Sequence, residues 1–192
     1  MAYVLFGAGL RVEEAAELLR SHSLSSKTQH ILTLTGPAHQ PGAQPMAKPM
    51  AQPMAQPMPR QVPLNRWIMG HRYGTYLKNP LTQWLKSRTD TSPYVFIEDS
   101  GEPLKFAGII ALWNAIVTDS TVTHPAMTTN NPLVTPFQAR QTWCIELLMK
   151  AMSLENLSIL SGLSLDELQP YAHRAKEKAA LEQALAIDQK NT

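Results

Sequence analysis

The segment Gly9-Leu10-Arg11-Val12-Glu13-Glu14, together with Arg140 and the segment Tyr171-Ala172-His173, decides how this sequence is interpreted. The acids at 13 and 14 are typical of the first turn of a helix, where the backbone N–H groups favour negative charge. Glu14 would then lie one turn from Arg11 and could hold its side chain. Two arginines and a tyrosine are candidates for a single site, because guanidinium forks bind phosphate at two points and a phenol is a nucleophile.

Composition restricts the class of protein. A chain of 192 residues can bury one substantial core, and we interpret residues 1–192 as a single domain. The net charge of +2 says little about partners. Residues 60–88, however, contain basic side chains and no acid, which suits a DNA backbone or an ordinary solvated surface. These cations are Arg60, Arg66, Arg72, Lys78, Lys86 and Arg88.

The single cysteine, Cys144, cannot form an internal disulfide, which favours a reducing compartment. Its apolar neighbours predict a buried thiol. No apolar run approaches the ~18 residues that a membrane span needs, and the N-terminus lacks a basic leader. We therefore expect a cytoplasmic protein without membrane contact, and no pattern in the sequence indicates a metal or a cofactor.

Periodicity and turn residues predict a mainly helical chain with a small antiparallel sheet, an α+β fold. The predicted strands are 30–35, 60–64 and 93–97, and Pro63 confines the second strand to an edge or an end of the sheet. Residues 118–136 are rich in Thr, Asn and Pro and are predicted as a loop. The predicted helical segments are 3–20, 66–88, a stretch from Pro103-Leu104 to Val117, 137–151, 153–161, 164–169 and 171–189.

A four-residue repeat occupies residues 43–58, with the unit Ala-Gln-Pro-Met and one Lys in place of Gln. Proline in every unit removes an N–H group and fixes φ, so the tract cannot be the interior of a helix or sheet. We predict a disordered, extended loop over 38–59 that interrupts the domain. The near-identity of the units favours tandem duplication, and a ligand for an aromatic groove is the alternative interpretation.

Six motifs follow one another in an order typical of a known family. They are Gly9-Leu10-Arg11-Val12-x-Glu14, Gly36 with Arg60-Gln61-Val62-Pro63-Leu64, Val95-Phe96 with Gly101-x-Pro103-Leu104, Ala139-Arg140-Gln141-Thr142 with Leu147-Leu148, Leu160-Ser161-Gly162-Leu163, and Tyr171-Ala172-His173. Together they resemble the catalytic domain of the tyrosine recombinase (phage integrase) family.

The resemblance implies a DNA breaking-rejoining fold that acts on double-stranded DNA without a cofactor. It implies that Tyr171 is the nucleophile, that Arg11 and Arg140 clamp the scissile phosphate, and that Glu14 supports Arg11. Arg60, on the strand after the repeat, is expected to bind DNA. In this chemistry a phosphotyrosine link keeps the bond energy for rejoining, and two guanidinium forks stabilise the charge of the transition state.

The sequence departs from the family pattern at its proton-transfer positions. Pro37 stands where the family has a lysine, and Phe137 and Leu163 stand where it has histidines. Lys48 lies inside the repeat, and His124 and His173 do not occupy matching positions. Since each acid–base group typically contributes 10²–10⁴ in rate, we expect impaired cleavage. The family's N-terminal DNA-clamping domain has no counterpart among the matched motifs.

Three hypotheses follow. In the first, the chain is a site-specific recombinase or integrase of a mobile element, with weak or absent strand exchange through a phosphotyrosine intermediate. In the second, it is a non-catalytic module that binds DNA or an intact recombinase. Family members associate through a C-terminal helix, and residues 174–189 could serve in this way or form a homo-oligomer. In the third, it is a gene-fragment relic without function.

Overall fold

Seven helices and one small sheet make up the described part of the chain, which in this computed structural model comprises residues 1–35, 59–65, 68, 78–123 and 135–190. The expected mainly helical α+β fold is therefore confirmed. The strands are β1 Ser23–Ser25, β2 His30–Leu34 and β3 Arg60–Pro63, and a 3₁₀ turn spans Arg20–His22. The helices are α1 Ala2–Ala8, α2 Val12–Ala16, α3 Pro80–Ser87, α4 Phe106–Thr123, α5 Pro136–Met149, α6 Leu154–Ser161 and α7 Leu165–Lys190.

The sheet is antiparallel with the strand order β1-β2-β3. Alternate residues of β2, from His30 to Leu34, are buried, and Leu32 pairs with Val62 of β3. Pro63 ends β3 at the edge of the sheet, as the sequence predicted, because its missing N–H would break an interior ladder. The sheet therefore presents one apolar face to the helices and carries Arg60 at the start of its last strand.

Helix α5 is the centre of the core and packs against α1, α6 and α7. Trp143 and Cys144 of α5 are fully buried, so the predicted burial of the single thiol is confirmed. Burial raises the pKa of Cys144 to about 11, so the thiol remains protonated at neutral pH. No helix in the described ranges is long and apolar enough to cross a membrane.

Gly9 fixes the approach of the first two helices to α5. It ends α1 with φ of 59°, a left-handed conformation that favours glycine. A Cβ atom at this position would lie 2.3 Å from Cε3 of Trp143. Because the backbone fixes the position of a Cβ atom, no side-chain rotamer at residue 9 could relieve this clash. Any larger residue would therefore push α1 away from α5. Gly9 thus brings its own carbonyl and the following Arg11 against the centre of the core.

The prediction of a strand over residues 93–97 is wrong. Only single bridges occur there, between Leu19 and Tyr94 and between Ile97 and Pro103. The physical reason is a side chain: Nη1 of Arg88 donates to the carbonyls of Tyr94 and Val95 at 2.5 and 2.7 Å. These carbonyls are therefore already engaged and do not build a regular ladder.

Two helices are longer than predicted. Helix α4 continues to Thr123, whereas the sequence predicted a loop from 118, because β-branched residues cost a helix only a few tenths of a kcal/mol each. Two helices were predicted on either side of Pro170, but α7 is continuous through it. One proline removes only one backbone hydrogen bond, so the helix tolerates it here. Three stretches lie outside the described residues: residues 36–58, which include the repeat, residues 124–134 of the predicted loop 118–136, and most of residues 66–77 of the predicted helical segment 66–88.

Candidate functional site

A buried carboxylate, that of Glu14 on α2, lies at the centre of the candidate site. Its side chain is 3% exposed, and its Oε2 accepts the backbone N–H of Arg11 at 2.8 Å. Nη1 of Arg60 lies 2.7 Å from Oε1, and Nη1 of Arg140 lies 3.7 Å from Oε2. The Arg60 contact is an ion pair whose N–H does not point directly at the oxygen, so Oε1 has no well-aligned hydrogen bond. A carboxylate this deeply buried needs such cations to remain charged.

Arg140 is held by the ends of two other helices. From α5, its Nη1 donates to the carbonyl of Gly9 at 2.8 Å and its Nη2 to the carbonyl of Ser161 at 2.6 Å. The side chain is 11% exposed. Burial lowers the pKa of Arg140, and the Arg11 and Arg60 guanidiniums act in the same direction, while Glu14 opposes them. The fork of Arg140 is therefore fixed between two carbonyls, close to Glu14 and to two other guanidiniums.

Arg60 joins the sheet to the end of α6. Its Nε donates to the carbonyl of Leu160 at 2.9 Å, and its side chain is 17% exposed. Gly162, with φ of 67°, ends α6 beside it, and a Cβ there would lie 3.4 Å from Nη1 of Arg60. Arg60 and Arg140 thus bind successive carbonyls at the C-terminus of α6, where the helix dipole also favours cations.

Arg11 is the third cation of this group. It precedes α2, is half-buried, and its charge contributes to the lowered pKa of Arg140. We call Arg11, Arg60, Arg140 and Glu14 the arginine cluster. Three guanidiniums against one carboxylate leave excess positive charge, and the predicted residues Arg11, Arg140, Glu14 and Arg60 are brought together in it.

Tyr171 lies on α7, half-buried against the core. One turn earlier on the same face of the helix is Glu167, whose Oε2 accepts the N–H and the hydroxyl of Ser164, both at 2.8 Å. These bonds, and then the charges of Arg11 and Arg140, lower the pKa of Glu167. The face of α7 that carries Glu167 is therefore within electrostatic reach of the arginine cluster. The sequence analysis missed Glu167, although Ser164-x-x-Glu167 is a capping-box signal.

The positions that depart from the family pattern carry no acid–base group in the structure either. Phe137 is exposed one turn before Arg140, and Leu163 is half-buried after Gly162. His173 lies on the exposed surface of α7, with Nε2 3.1 Å from Oε1 of Glu177. Pro37, Lys48 and His124 lie outside the described residues. Within the described ranges, no group of three or more His, Cys, Asp or Glu side chains could hold a metal ion.

The cations of the basic stretch that the structure describes do not all lie on one exposed surface. Arg88 is 4% exposed and is bound to Asp90 and to backbone carbonyls, so it is not available to a DNA phosphate. Lys78 and Lys86 are exposed. Arg66 and Arg72 lie outside the described residues.

The arrangement of helices and sheet matches solved DNA recombinases. The Tn1549 transposon integrase in complex with transposon right end DNA superposes with a TM-score of 0.62 at 18% identity, over 92% of this chain and 56% of that one. The XerA recombinase gives 0.61 at 16% identity, over 94% and 56%. The XerH site-specific recombinase, in a post-cleavage complex with palindromic difH substrate, gives 0.62 at 17% identity, over 98% and 44%.

The chain has the fold of a tyrosine recombinase catalytic domain. It spans about half the length of the structures that it matches. No protein-family model and no curated protein matches the sequence significantly. The tyrosine recombinase fold thus rests on the agreement between the motif order and the three-dimensional match.

Proposed function

We propose that this chain binds double-stranded DNA at the arginine cluster and that Tyr171 attacks a backbone phosphate held by Arg11 and Arg140. The observation that carries the proposal is the convergence of the Arg60 and Arg140 guanidiniums on the buried carboxylate of Glu14, which also accepts the backbone N–H of Arg11. Helix α7, which bears Tyr171, is close enough for Arg11 and Arg140 to lower the pKa of Glu167. In the reaction the Tyr171 hydroxyl gives its proton to water and its oxygen bonds to phosphorus, while the bond from phosphorus to the 5′ oxygen breaks and that oxygen takes a proton from water. The phosphotyrosine keeps the energy needed to rejoin the strand.

The two arginines have complementary tasks in this mechanism. The transition state places negative charge on the non-bridging oxygens of the phosphate, and guanidinium forks can bind those oxygens bidentately. Arg140 is fixed by the carbonyls of Gly9 and Ser161, which leaves its position insensitive to the ligand. Arg11 is less tied to the protein, and Glu14 holds its backbone at the start of α2.

We propose that cleavage is slow. The leaving oxygen needs a proton donor, and neither Phe137 nor Leu163 can supply one. Each missing acid–base group removes about 10²–10⁴ in rate. The chain therefore keeps the means to bind and attack a phosphate without efficient means to protonate the leaving group.

DNA binding follows from the same charges. Arg60 is part of the arginine cluster and is proposed to contribute to DNA affinity, and the exposed Lys78 and Lys86 add phosphate contacts. Counterion release would then make the affinity fall steeply with salt. The Tn1549 integrase and XerH structures contain DNA, which supports the choice of ligand. This proposal implies that the chain acts in the cytoplasm, in the recombination and integration of a mobile element.

The C-terminal half of α7 is proposed to bind a second copy of this chain or an intact recombinase. It exposes Leu181, Leu185 and Ile187. An apolar groove of about 370 Å³, lined by residues such as Met152 and Ala172, lies beside the first half of the same helix and could receive these side chains. Light scattering of the Leu181→Asp/Leu185→Asp double variant tests this proposal, which fails if the wild type is monomeric at the same concentrations.

A nicked suicide DNA duplex tests the catalytic proposal. We expect a covalent complex that accumulates slowly with the wild type, is absent with Tyr171→Phe, and is lost together with tight binding in Arg140→Ala. Formation of the complex as fast as in intact recombinases would contradict the claim of slow chemistry. DNA binding without any covalent complex would favour the non-catalytic module, which the missing proton donors also favour. Binding unaffected by Arg140→Ala would remove the arginine cluster from the function.

A further inference from the structure

Arg60 is oriented into the protein, toward Glu14 and Leu160, although it belongs to the basic stretch. We propose that Arg60 is a positioning residue that neutralises Glu14, so that Arg11 and Arg140 keep their positive charge for a DNA phosphate. This inference rests on the proposed function and specifies how Arg60 contributes to it. Arg60 then acts on the ligand through the Glu14 carboxylate rather than mainly by touching DNA.

The distances assign the carboxylate to Arg60. Nη1 of Arg60 lies 2.7 Å from Glu14, whereas the nearest nitrogen of Arg140 lies 3.7 Å away and donates instead to the carbonyl of Gly9. Glu14 is therefore the primary ion-pair partner of Arg60 and only a secondary partner of Arg140. If Arg60 lost its charge, the buried carboxylate would have Arg140 as its nearest cation, and it would offset the charge that a phosphate needs.

The remaining contacts of Arg60 fix its fork in place. Nε donates to the carbonyl of Leu160 at 2.9 Å, and the guanidinium lies beside Gly162, whose φ of 67° favours glycine. Arg140 binds the next carbonyl, that of Ser161. A lysine at position 60 could supply the charge but not a second fixed N–H, since an ammonium is a point charge on a flexible stem.

The test compares variants that carry the same net charge. Fluorescence anisotropy with a short DNA duplex measures affinity at several salt concentrations, and thermal unfolding measures the folded fraction of each variant. We expect Arg60→Gln to weaken binding about tenfold, more than Lys86→Gln, which removes an exposed charge from the same stretch. Arg60→Gln/Glu14→Gln should recover to within about threefold of the wild type, because the unpaired carboxylate is gone.

The matched control is Arg60→Gln/Glu177→Gln, which has the same net charge as the rescued variant. Glu177 lies on the exposed surface of α7, so this second substitution should not restore binding. Equal recovery in both double variants would reduce the effect to net charge and overturn the inference. No recovery with Glu14→Gln would also overturn it, because Arg60 would then contact DNA directly.

Arg60→Lys keeps the inference testable if Arg60→Gln does not fold. We expect affinity between those of the wild type and Arg60→Gln, since the ammonium neutralises Glu14 but loses the bond to Leu160. Arg60→Lys binding no better than Arg60→Gln would contradict a role for the charge. A wild type that binds no DNA at any salt would remove the proposed function itself and this inference with it, an outcome distinct from failed rescue.

Discussion

Two places in the described part of the chain pair two arginines with one carboxylate, and they differ in whether a guanidinium remains available to a ligand. In the arginine cluster, Glu14 is approached by Arg60 at 2.7 Å and Arg140 at 3.7 Å. In the second place, Oδ1 of Asp90 lies 2.9 Å from Arg20 and 2.5 Å from Arg88. We call this second group the Asp90 cluster. The residue types are the same, so the difference must come from burial and from further partners.

In the Asp90 cluster, the Arg88 guanidinium is fully engaged by protein groups. Arg88 binds both oxygens of Asp90 and the carbonyls of Tyr94 and Val95, and its side chain is 4% exposed. The hydrogen bond from Arg88 holds the pKa of Asp90 well below its usual range, and the Ser92 N–H and Arg20 act in the same direction. Here the carboxylate is at the surface, 31% exposed, and the arginine is inside. The cluster therefore anchors a loop.

The arginine cluster reverses that arrangement. Its carboxylate is 3% exposed, while its cations include a third guanidinium, that of half-buried Arg11. The cluster therefore has more guanidiniums than carboxylates, and Arg11 and Arg140 are close enough to α7 to lower the pKa of Glu167. Arginines that contact one carboxylate therefore indicate an ion pair. A ligand site is indicated only when the cations outnumber the carboxylate and the carboxylate, rather than the arginine, is the more buried partner.

The largest effect should come from Arg88→Ala, which breaks the Asp90 cluster. We expect about 3 kcal/mol less free energy of unfolding, because two backbone carbonyls and Asp90 lose a charged, nearly buried partner. Urea denaturation measures this loss, and Arg174→Ala, which removes an exposed arginine from α7, should change it by less than about 0.5 kcal/mol.

The DNA affinity of the folded Arg88→Ala protein should remain that of the wild type, whereas Arg140→Ala should weaken binding. A loss of affinity as large in Arg88→Ala as in Arg140→Ala would break the distinction between an anchoring cluster and a ligand-binding cluster.

Local signals in the sequence predicted the elements that local forces determine. The strands 30–35 and 60–64, the terminal position of Pro63 and the burial of Cys144 are confirmed. The strand 93–97 was wrong because Arg88 takes the Tyr94 and Val95 carbonyls, a contact that periodicity does not report. The break at Pro170 was wrong because packing of α7 against α5 and α6 outweighs one lost hydrogen bond.

The candidate site was predicted by resemblance rather than by pattern. The order of Arg11, Arg140 and Tyr171 pointed to the fold that the chain has, but it could not indicate that Arg60 pairs with Glu14 across the fold. Contacts between residues 14, 60 and 140 depend on the packing of α2, β3 and α5, which no spacing within one segment encodes. Their assignment to catalysis and DNA binding stays a prediction.

The dependence of stability on pH should distinguish the Asp90 cluster from a group of polar side chains around the buried His30. Nε2 of His30 lies 2.7 Å from Oγ of Ser23, and Nδ1 accepts the Nδ2 hydrogen of Asn79 at 3.2 Å. Oδ1 of Asn79 accepts the N–H of Thr82, which fixes the orientation of the amide. His30 is therefore neutral with its proton on Nε2, and burial lowers its pKa to about 4.

Stability should fall as the pH is lowered from 6.5 to 4. In this range an unfolded His30 binds a proton and the folded one does not, so the loss reaches at most about 3 kcal/mol near pH 4. Asp90 contributes little to this slope, because the stability it supplies is lost mainly below its ordinary pKa of 3.8, as the pH falls toward its lowered pKa in the folded protein. Thermal unfolding should show a clearly smaller slope in His30→Gln than in the wild type and in His173→Gln between pH 6.5 and 5, above the ordinary pKa of 4.5 of Glu155 and Glu167, whose pKa values are also lowered. A slope retained by His30→Gln would assign it elsewhere.

The smallest effect should come from Glu167→Gln, which tests whether the arginine cluster keeps a net positive charge that can bind a phosphate. Glu167 lies one turn before Tyr171, and its pKa is lowered in part by Arg11 and Arg140. A carboxylate there competes with a phosphate for the same guanidiniums, and glutamine removes its charge while still accepting the Ser164 N–H. We expect DNA affinity to rise about three- to fivefold at low salt. Glu177→Gln makes the same change of net charge farther along α7 and should raise affinity less. Equal gains from the two substitutions would mean that Glu167 does not compete for the guanidiniums, and that the arginine cluster resembles the Asp90 cluster more than a phosphate site.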